Sequence, residues 1–338
     1  MSEKIKFAII GCGHIGMRHA EMVKINNNCE LVALVDSKEN QEILNENFGC
    51  VFFNSIEALL SSEIPVDVIN IATPNGLHYQ QAVLAIDAGK HVVIEKPLAL
   101  NKQHAASLIS LAQKHNVHLF PVMQNRYSPP SVWLKEIVTS GKLGAIYNVQ
   151  VNCFWNRDDR YYKPESWHGK KDMDGGTLFT QFSHFIDMIY WLFGDVENIQ
   201  GKFANFNHQY LADFEDSGFI NFDFVNGGIG TFNYSTSVWD KNLESSLTII
   251  AENGTVKIGG QYMDKVETCH IKNYHFSELP EANSDIQFGS YKASAINHHY
   301  VIQNVLDVLK NNTSPFVNAY YAYKVVDIIE RIYSLKKQ

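Results

Sequence analysis

Short apolar runs alternate with amphipathic stretches up to Pro121. The runs at 5–10, 30–36, 67–72, 90–95 and 117–121 have the length of buried strands. The stretches at 14–26, 38–47, 78–88 and 101–115 place apolar residues at the helical period. Such alternation predicts parallel strands joined by right-handed crossovers, a doubly wound sheet. Gly89 is placed to stop one helix, and Pro97 interrupts the chain just past a strand.

Beyond Pro121 the period changes. Ser128-Pro129-Pro130 predicts a helix to about residue 140, with serine as cap and proline in the first turn. From residue 144 the runs at 146–155, 196–206, 217–225, 228–238, 245–251 and 254–258 alternate with period two. Gly227-Gly228 and Asn253-Gly254 are turn signals between them. The expectation is an antiparallel sheet of about six strands, interrupted by one helix near 174–193 and followed by helices near 290–311 and 318–335. The fold class expected is an α/β Rossmann-type domain over 1–122, then an α+β domain with an open, mainly antiparallel sheet over 123–338. Phe219, Phe222, Phe224, Phe232 and Tyr234 make 217–238 aromatic. One sheet face would bury local helices and the other a second copy of the chain, giving a homodimer or homotetramer. A two-sided core within the domain would use the same residues.

Composition narrows the class. A chain of 338 residues exceeds one ordinary core, and 45% hydrophobic with 19% charged residues describes a globular protein. A net charge of −8 supplies no basic stripe for nucleic acid. No apolar run reaches the roughly eighteen residues that a membrane span needs. The stretch MSEKIKF leads straight into the first strand, so no secretory signal is expected. Five cysteines without a C-x-x-C pair imply reduced thiols and a cytoplasmic protein, in which Asn253-Gly-Thr255 stays unglycosylated.

The segment GCGHIG, Gly11 to Gly16, follows the first apolar run, and Asp36 ends the second. Strand, glycine turn, helix, strand and acid are the parts of a dinucleotide site. Gly11 permits the tight turn, Gly13 lets backbone approach a pyrophosphate, and Gly16 lets the helix pack on the sheet. The helix from His14 offers unpaired N–H groups to phosphate. Asp36 is placed to accept from the ribose hydroxyls and to repel a 2′-phosphate, so NAD is expected over NADP, with Lys38 partly offsetting the repulsion. The same residues would also serve a plain strand-to-helix turn, and Asp36 a helix cap before Ser37.

Two further segments carry chemistry. Thr73-Pro-Asn-Gly-Leu-His78 and Glu95-Lys-Pro97 stand at strand ends, where ligands lie in an open α/β sheet. On the helix expected near 174–193, Thr180, His184 and Asp187 recur at i, i+4 and i+7 and would share a face. With GCGHIGMRHA, TPNGLHYQQAVLAIDAGKHVVIEKPLAL and GGTLFTQFSHFID, the whole chain resembles the glucose–fructose oxidoreductase/inositol dehydrogenase (Gfo/Idh/MocA) family. QNRYSPPS and DGGTLFTQFSHFIDMIYWLFG look most like its bacterial surface-polysaccharide branch, whose members oxidise the 3-hydroxyl of UDP-N-acetylglucosaminuronate.

That resemblance implies a role for each matching residue. Gly11, Gly13, His14 and Ile15 match the phosphate turn, Asp36 the ribose acid with Ser37 beside it, and Thr73, Pro74, Asn75 and His78 the loop at the nicotinamide ribose. Glu95 and Lys96 match the EKP motif, whose lysine adjoins the reacting carbon, and His184 matches the catalytic histidine. Many members carry aspartate four residues before that histidine. Here Thr180 and Gln181 occupy the region, so a Lys96–His184 pair is expected to carry the proton relay. An ordinary lysine lies about 3.4 pH units above neutrality, about 4.6 kcal/mol, whereas histidine needs almost no adjustment. His184 is therefore the expected general base, and Lys96 the cation that stabilises developing alkoxide, with the two meeting over one nicotinamide face.

Substrate contacts are expected from Gln124 (which also adjoins the cofactor), Asn125, Arg126, Tyr127, and the stretch from Trp155 to Tyr162 and on to Trp167. Arg157 and Arg160 suit an anionic nucleotide-sugar uronate. Asp158 and Asp159 between them would equally make a charge-balanced loop. His298-His299 diverge on a helix and Cys269-His270 on a strand, so no metal is expected. The activity implied is hydride transfer between a sugar carbinol and nicotinamide. A free-sugar or inositol dehydrogenase, or a non-catalytic NAD-binding regulator, stands as the alternative.

Overall fold

Six parallel strands make the first sheet: β1 (Ile5–Ile10), β2 (Cys29–Val35), β3 (Val51–Phe53), β4 (Val68–Ile71), β5 (His91–Ile94) and β6 (Leu119–Pro121). In the computed structural model, which describes residues 3–37, 48–280, 287–288, 291–292 and 297–337, their order is β3-β2-β1-β4-β5-β6. The order reverses between β1 and β4, the switch point at which such sheets open a ligand crevice. Phe7 to Ile10 and Val92 to Ile94 are buried, as continuous apolar strands covered on both faces must be, and Val68 to Ile71 is equally buried around one polar residue, Asn70. Helices α1 (His14–Ile25), α2 (Ile56–Leu60), α3 (His78–Asp87) and α4 (Lys102–Lys114) make the crossovers. Ser55 caps α2 by accepting from the Ala58 amide, and Asn101 caps α4 by accepting from the His104 amide. The short β3 and α2 were not anticipated by the hydrophobic pattern, and the helix expected over 38–47 lies outside the described residues.

The second sheet holds β7 (Ile146–Phe154), β8 (Val196–Ala204), β9 (Ser217–Phe224), β10 (Ile229–Ser235), β11 (Glu244–Ala251), β12 (Gly254–Gly259) and β13 (Lys265–Ile271). Its order is β13-β12-β11-β7-β10-β9-β8. The open, mainly antiparallel sheet expected is there; β13 adds an edge to the roughly six strands read from the sequence, and β7 and β10 pair in parallel at the centre. The hairpin turn is Glu252-Asn253, with Gly254 already in the strand. Phe222, Phe224, Phe232 and Tyr234 line the buried face, whereas Phe219 is exposed on the other.

Helix α5 (Pro129–Thr139) begins as expected, although Ser128 does not cap it; its hydroxyl bonds the Asn125 carbonyl and Ser131. The single helix expected near 174–193 is three: α6 (Lys171–Asp174), α7 (Thr177–Thr180) and α8 (Ser183–Phe193). Gly175 and Gly176 separate the first two at φ of 88° and 125°, conformations that side chains other than glycine rarely adopt. Between α7 and α8, Phe182 is fully buried against the rings of Phe232 and Tyr234.

A two-stranded pair, β14 (Gln287–Phe288) with β15 (Tyr291–Lys292), occupies the start of the helix expected from 290; that helix, α9 (His298–Asn311), begins later. α10 (Ala319–Ser334) follows. The chain divides into two compact units, Met1–Met123 with His298–Val326, and Gln124–Asn297 with Asp327–Gln338. The expected single cut after residue 122 thus meets a chain that returns. The physical cause is α9, which packs on α1 and buries Val301, Ile302, Val305, Leu306 and Val308. In the second unit, Tyr333 of α10 accepts the Leu178 amide and donates to Glu215, holding the turn into α7.

Candidate functional site

The glycine turn of the first unit is built as a phosphate cradle is. Gly11 has φ of 89°, and a Cβ there would stand 2.7 Å from the Ala72 carbonyl oxygen. A Cβ at Gly16 would overlap the Gly11 carbonyl, so this glycine seats α1 on the turn. Gly13 differs: nothing lies within 4 Å of a Cβ placed on it. It caps α1 without any side-chain hydrogen bond, and the first turn has no acid. Open space before an uncapped helix end fits a dinucleotide pyrophosphate. His14 and Ile15 begin that helix. Asp36, at the end of β2 beside Ser37, accepts the Cys12 amide at 2.7 Å and so faces the same turn. These residues fit NAD.

Beyond β4 and β5 lie the other expected cofactor residues. His78 is fully buried, with Nδ1 2.8 Å from the Pro97 carbonyl and Nε2 2.9 Å from the Thr73 carbonyl. It staples the Thr73-Pro74-Asn75 loop to the Glu95-Lys96-Pro97 turn, whose Lys96–Pro97 peptide is cis, and leaves neither ring nitrogen for a ligand. Burial lowers its pKa, against the two carbonyls that favour its charged form. Thr73 donates to Gln81 at 2.6 Å.

Glu95 is buried beside Lys96. Its Oε1 lies 2.9 Å from His19 Nε2 and 3.3 Å from His298 Nε2. Burial alone would raise its carboxyl; the contacts of His19 and His298 outweigh that and hold it well below the usual carboxylate range. Burial pushes His19 below an ordinary imidazole, against its bond to Glu95. These three are the group with metal-ligand spacing among the described residues, their donor atoms lying within 4.8 Å of one another. The sequence reading missed His19 and named His298 only beside His299, as a pair too divergent to share a metal. The only signal was a histidine one turn after the glycine motif, and α9 is too far along the chain for spacing to reveal its partner.

In the second unit, Gln124, Asn125, Arg126 and Tyr127 form one turn of 3₁₀-helix. Arg126 is fully buried and grips Asp187, Nε to Oδ2 at 2.8 Å and Nη2 to Oδ1 at 2.5 Å, with its guanidinium over Trp191. It ties the QNRY turn to α8, whereas the sequence placed Arg126 among the substrate contacts. Burial raises the Tyr127 phenol. Arg157 is buried between the rings of Trp155 and Tyr161 and donates to Gln181 at 2.9 Å; Gln181 in turn donates to Tyr161. Arg160 is half-exposed and pairs with Asp158 at 2.7 Å, the charge-balanced arrangement that the sequence left open. Trp167 stacks on His168.

Thr180, His184 and Asp187 do not form one working face. The helix breaks between the first two; Thr180 donates to Asp174, and Asp187 is taken by Arg126. His184 stands in the first turn of α8 and is 3% exposed.

Residues 5–122 match the family model described as an oxidoreductase family with an NAD-binding Rossmann fold, and residues 132–257 match the GFO/IDH/MocA C-terminal domain. The WlbA dehydrogenase of Bordetella pertussis, solved with NADH and UDP-GlcNAcA, is 29% identical with a TM-score of 0.88, covering 99% of this chain and 97% of that one. The D-glucoside 3-dehydrogenase of Escherichia coli is 29% identical over 249 residues, 68% of this chain and 69% of that protein. An uncharacterized oxidoreductase of Synechocystis is 28% identical over 205 residues, 60% of this chain and 55% of that protein, so the matched stretch spans about half its length.

Proposed function

This chain belongs to the Gfo/Idh/MocA oxidoreductases, and we propose that it oxidises the 3-hydroxyl of a UDP-N-acetylamino-sugar uronate, or reduces the corresponding ketone, in making a surface polysaccharide. Support comes from likeness over nearly the whole chain to a dehydrogenase solved with UDP-GlcNAcA. The observation that carries the chemistry is Lys96, set at the end of β5 in the unit that holds the glycine turn. Bound NAD supplies the hydride acceptor. His184 takes the hydroxyl proton as the general base. The Lys96 ammonium donates to the substrate oxygen and offsets its growing negative charge.

Arg157, its guanidinium carbon 4.9 Å from the centre of the Trp155 ring and 5.2 Å from that of Tyr161, is the cation proposed for the anionic substrate, with Gln181 accepting from its Nε. A free glucoside is the second reading, favoured by the equal identity to the D-glucoside enzyme. The exposed Phe219, Ile229 and Ile250 on the outer face of the second sheet are proposed to meet another copy of the chain; a monomer in light scattering removes that part.

Incubating the purified protein and NAD⁺ with UDP-GlcNAcA, free glucosides or inositols, with and without a keto acid to reoxidise bound NADH, tests the reading. Reduction is expected with the uronate and is expected to fall at least about a hundredfold in Lys96→Met and in His184→Ala. Equal rates in His184→Ala remove the base. Reduction with inositol or glucoside alone removes the uronate.

A further inference from the structure

Glu95 contacts three groups, and the proposed chemistry uses none of them. Oε1 takes His19 Nε2 and faces His298 Nε2, while Oε2 accepts the Lys96 backbone N–H at 3.2 Å. The imidazoles come from α1 and from the first residue of α9, and meet edge to face with centroids 4.8 Å apart. All three side chains are buried. A carboxylate in such surroundings is retained only where its lone pairs are met, because an unpaired buried charge is costly. A neutral His19 that donates its Nε2 proton satisfies that need while the group keeps a single negative charge.

We propose that His19 and His298 are positioning residues for Lys96. The terminal torsion of glutamate is broad, so a lone carboxylate at this site would turn. Two imidazoles against one oxygen remove that freedom and aim the other oxygen at the Lys96 amide. The backbone from which the Lys96 side chain departs is thereby fixed. His19 lies on the helix whose N-terminus closes the phosphate cradle, so the same bond joins that helix to the lysine-bearing turn. A divalent cation fits the spacing less well than a shared proton does. Metal-bound imidazoles hand their second nitrogen to an acceptor, and neither Nδ1 has one among the described residues. The inference rests on Lys96 being the working cation, and its test is chosen to separate the two.

Amide hydrogen exchange on the full protein reads the Lys96 N–H directly. In His19→Leu and His298→Leu, exchange at Lys96 is expected to quicken by about tenfold or more, while amides of β1 and β4 keep their rates. His19→Gln, whose side-chain amide reaches the place of Nε2, should restore the Lys96 rate to within about threefold. In the same leucine variants, kcat for NAD⁺ reduction with UDP-GlcNAcA should fall about tenfold or more with KM for NAD⁺ little changed. An unchanged Lys96 rate, or a uniform rise across the first unit, overturns the proposal. So does one equivalent of zinc in the purified protein. Faster exchange at Lys96 with unaltered turnover leaves the positioning intact and removes Lys96 from the chemistry.

Discussion

Arg126 and Asp187 meet through two parallel hydrogen bonds, both side chains sealed inside the second unit. Removing one partner leaves the other charged and unmatched. Asp187→Ala is expected to cost about 3–5 kcal/mol, while the paired change Arg126→Met with Asp187→Leu costs much less. Urea unfolding of both variants checks this. A stable Asp187→Ala with a raised substrate KM would return Arg126 to the substrate.

The glycine turn separates a ligand requirement from a packing requirement. Gly13→Ala should leave unfolding within about 0.5 kcal/mol of the parent, since its φ of −73° suits any residue and its Cβ meets nothing. The same methyl should weaken NADH by about tenfold or more, read by fluorescence titration. Gly16→Ala should unfold the first unit without cofactor present. Unaltered NADH affinity in Gly13→Ala would place the pyrophosphate elsewhere.

Acid should weaken the first unit in two stages. His19 binds its proton less readily folded than unfolded, so the stability tied to its neutral form is present above about pH 6.5 and drains away as pH falls below it. Glu95 is also lowered, so its contribution holds above about pH 4.5 and is lost only as pH falls further. Each group contributes at most about 1.4 kcal/mol per pH unit. Thermal unfolding from pH 7.5 to 5.5 should decline in the parent and less steeply in His19→Gln. Equal slopes would mean that His19 titrates alike in both states.

Tyr333 makes two hydrogen bonds at the turn leading toward His184. Tyr333→Phe leaves the Leu178 amide without that acceptor and should cost about 1–3 kcal/mol in urea unfolding. No measurable loss would mean that other groups hold the turn.

What could be read from the chain follows the range of each force. The strands of the first sheet other than the short edge strand β3 announce themselves because burial on both faces makes them long apolar runs. Gly11 and Gly16 were legible because a tight turn imposes local rules. The region from Asp174 to Phe193 was misread because one continuous helix was laid over it, whereas Gly175-Gly176 break the chain before α7 and Gln181-Phe182 break it again before α8. The same continuous reading put Thr180, His184 and Asp187 on one imagined face. Arg126 was placed among the substrate contacts because nothing local marks Asp187 as its partner. His19, Glu95 and His298 were illegible as a set, since only the return of α9 assembles them.

That return has a practical corollary for anyone wishing to transplant the nucleotide half alone. A fragment ending at Met123 would strip α9 from α1 and expose the apolar side on which the two helices meet. It would also leave Glu95 short of one imidazole. A self-sufficient module needs both pieces spliced together, with residues 298–326 grafted behind 1–123 by a linker of its own.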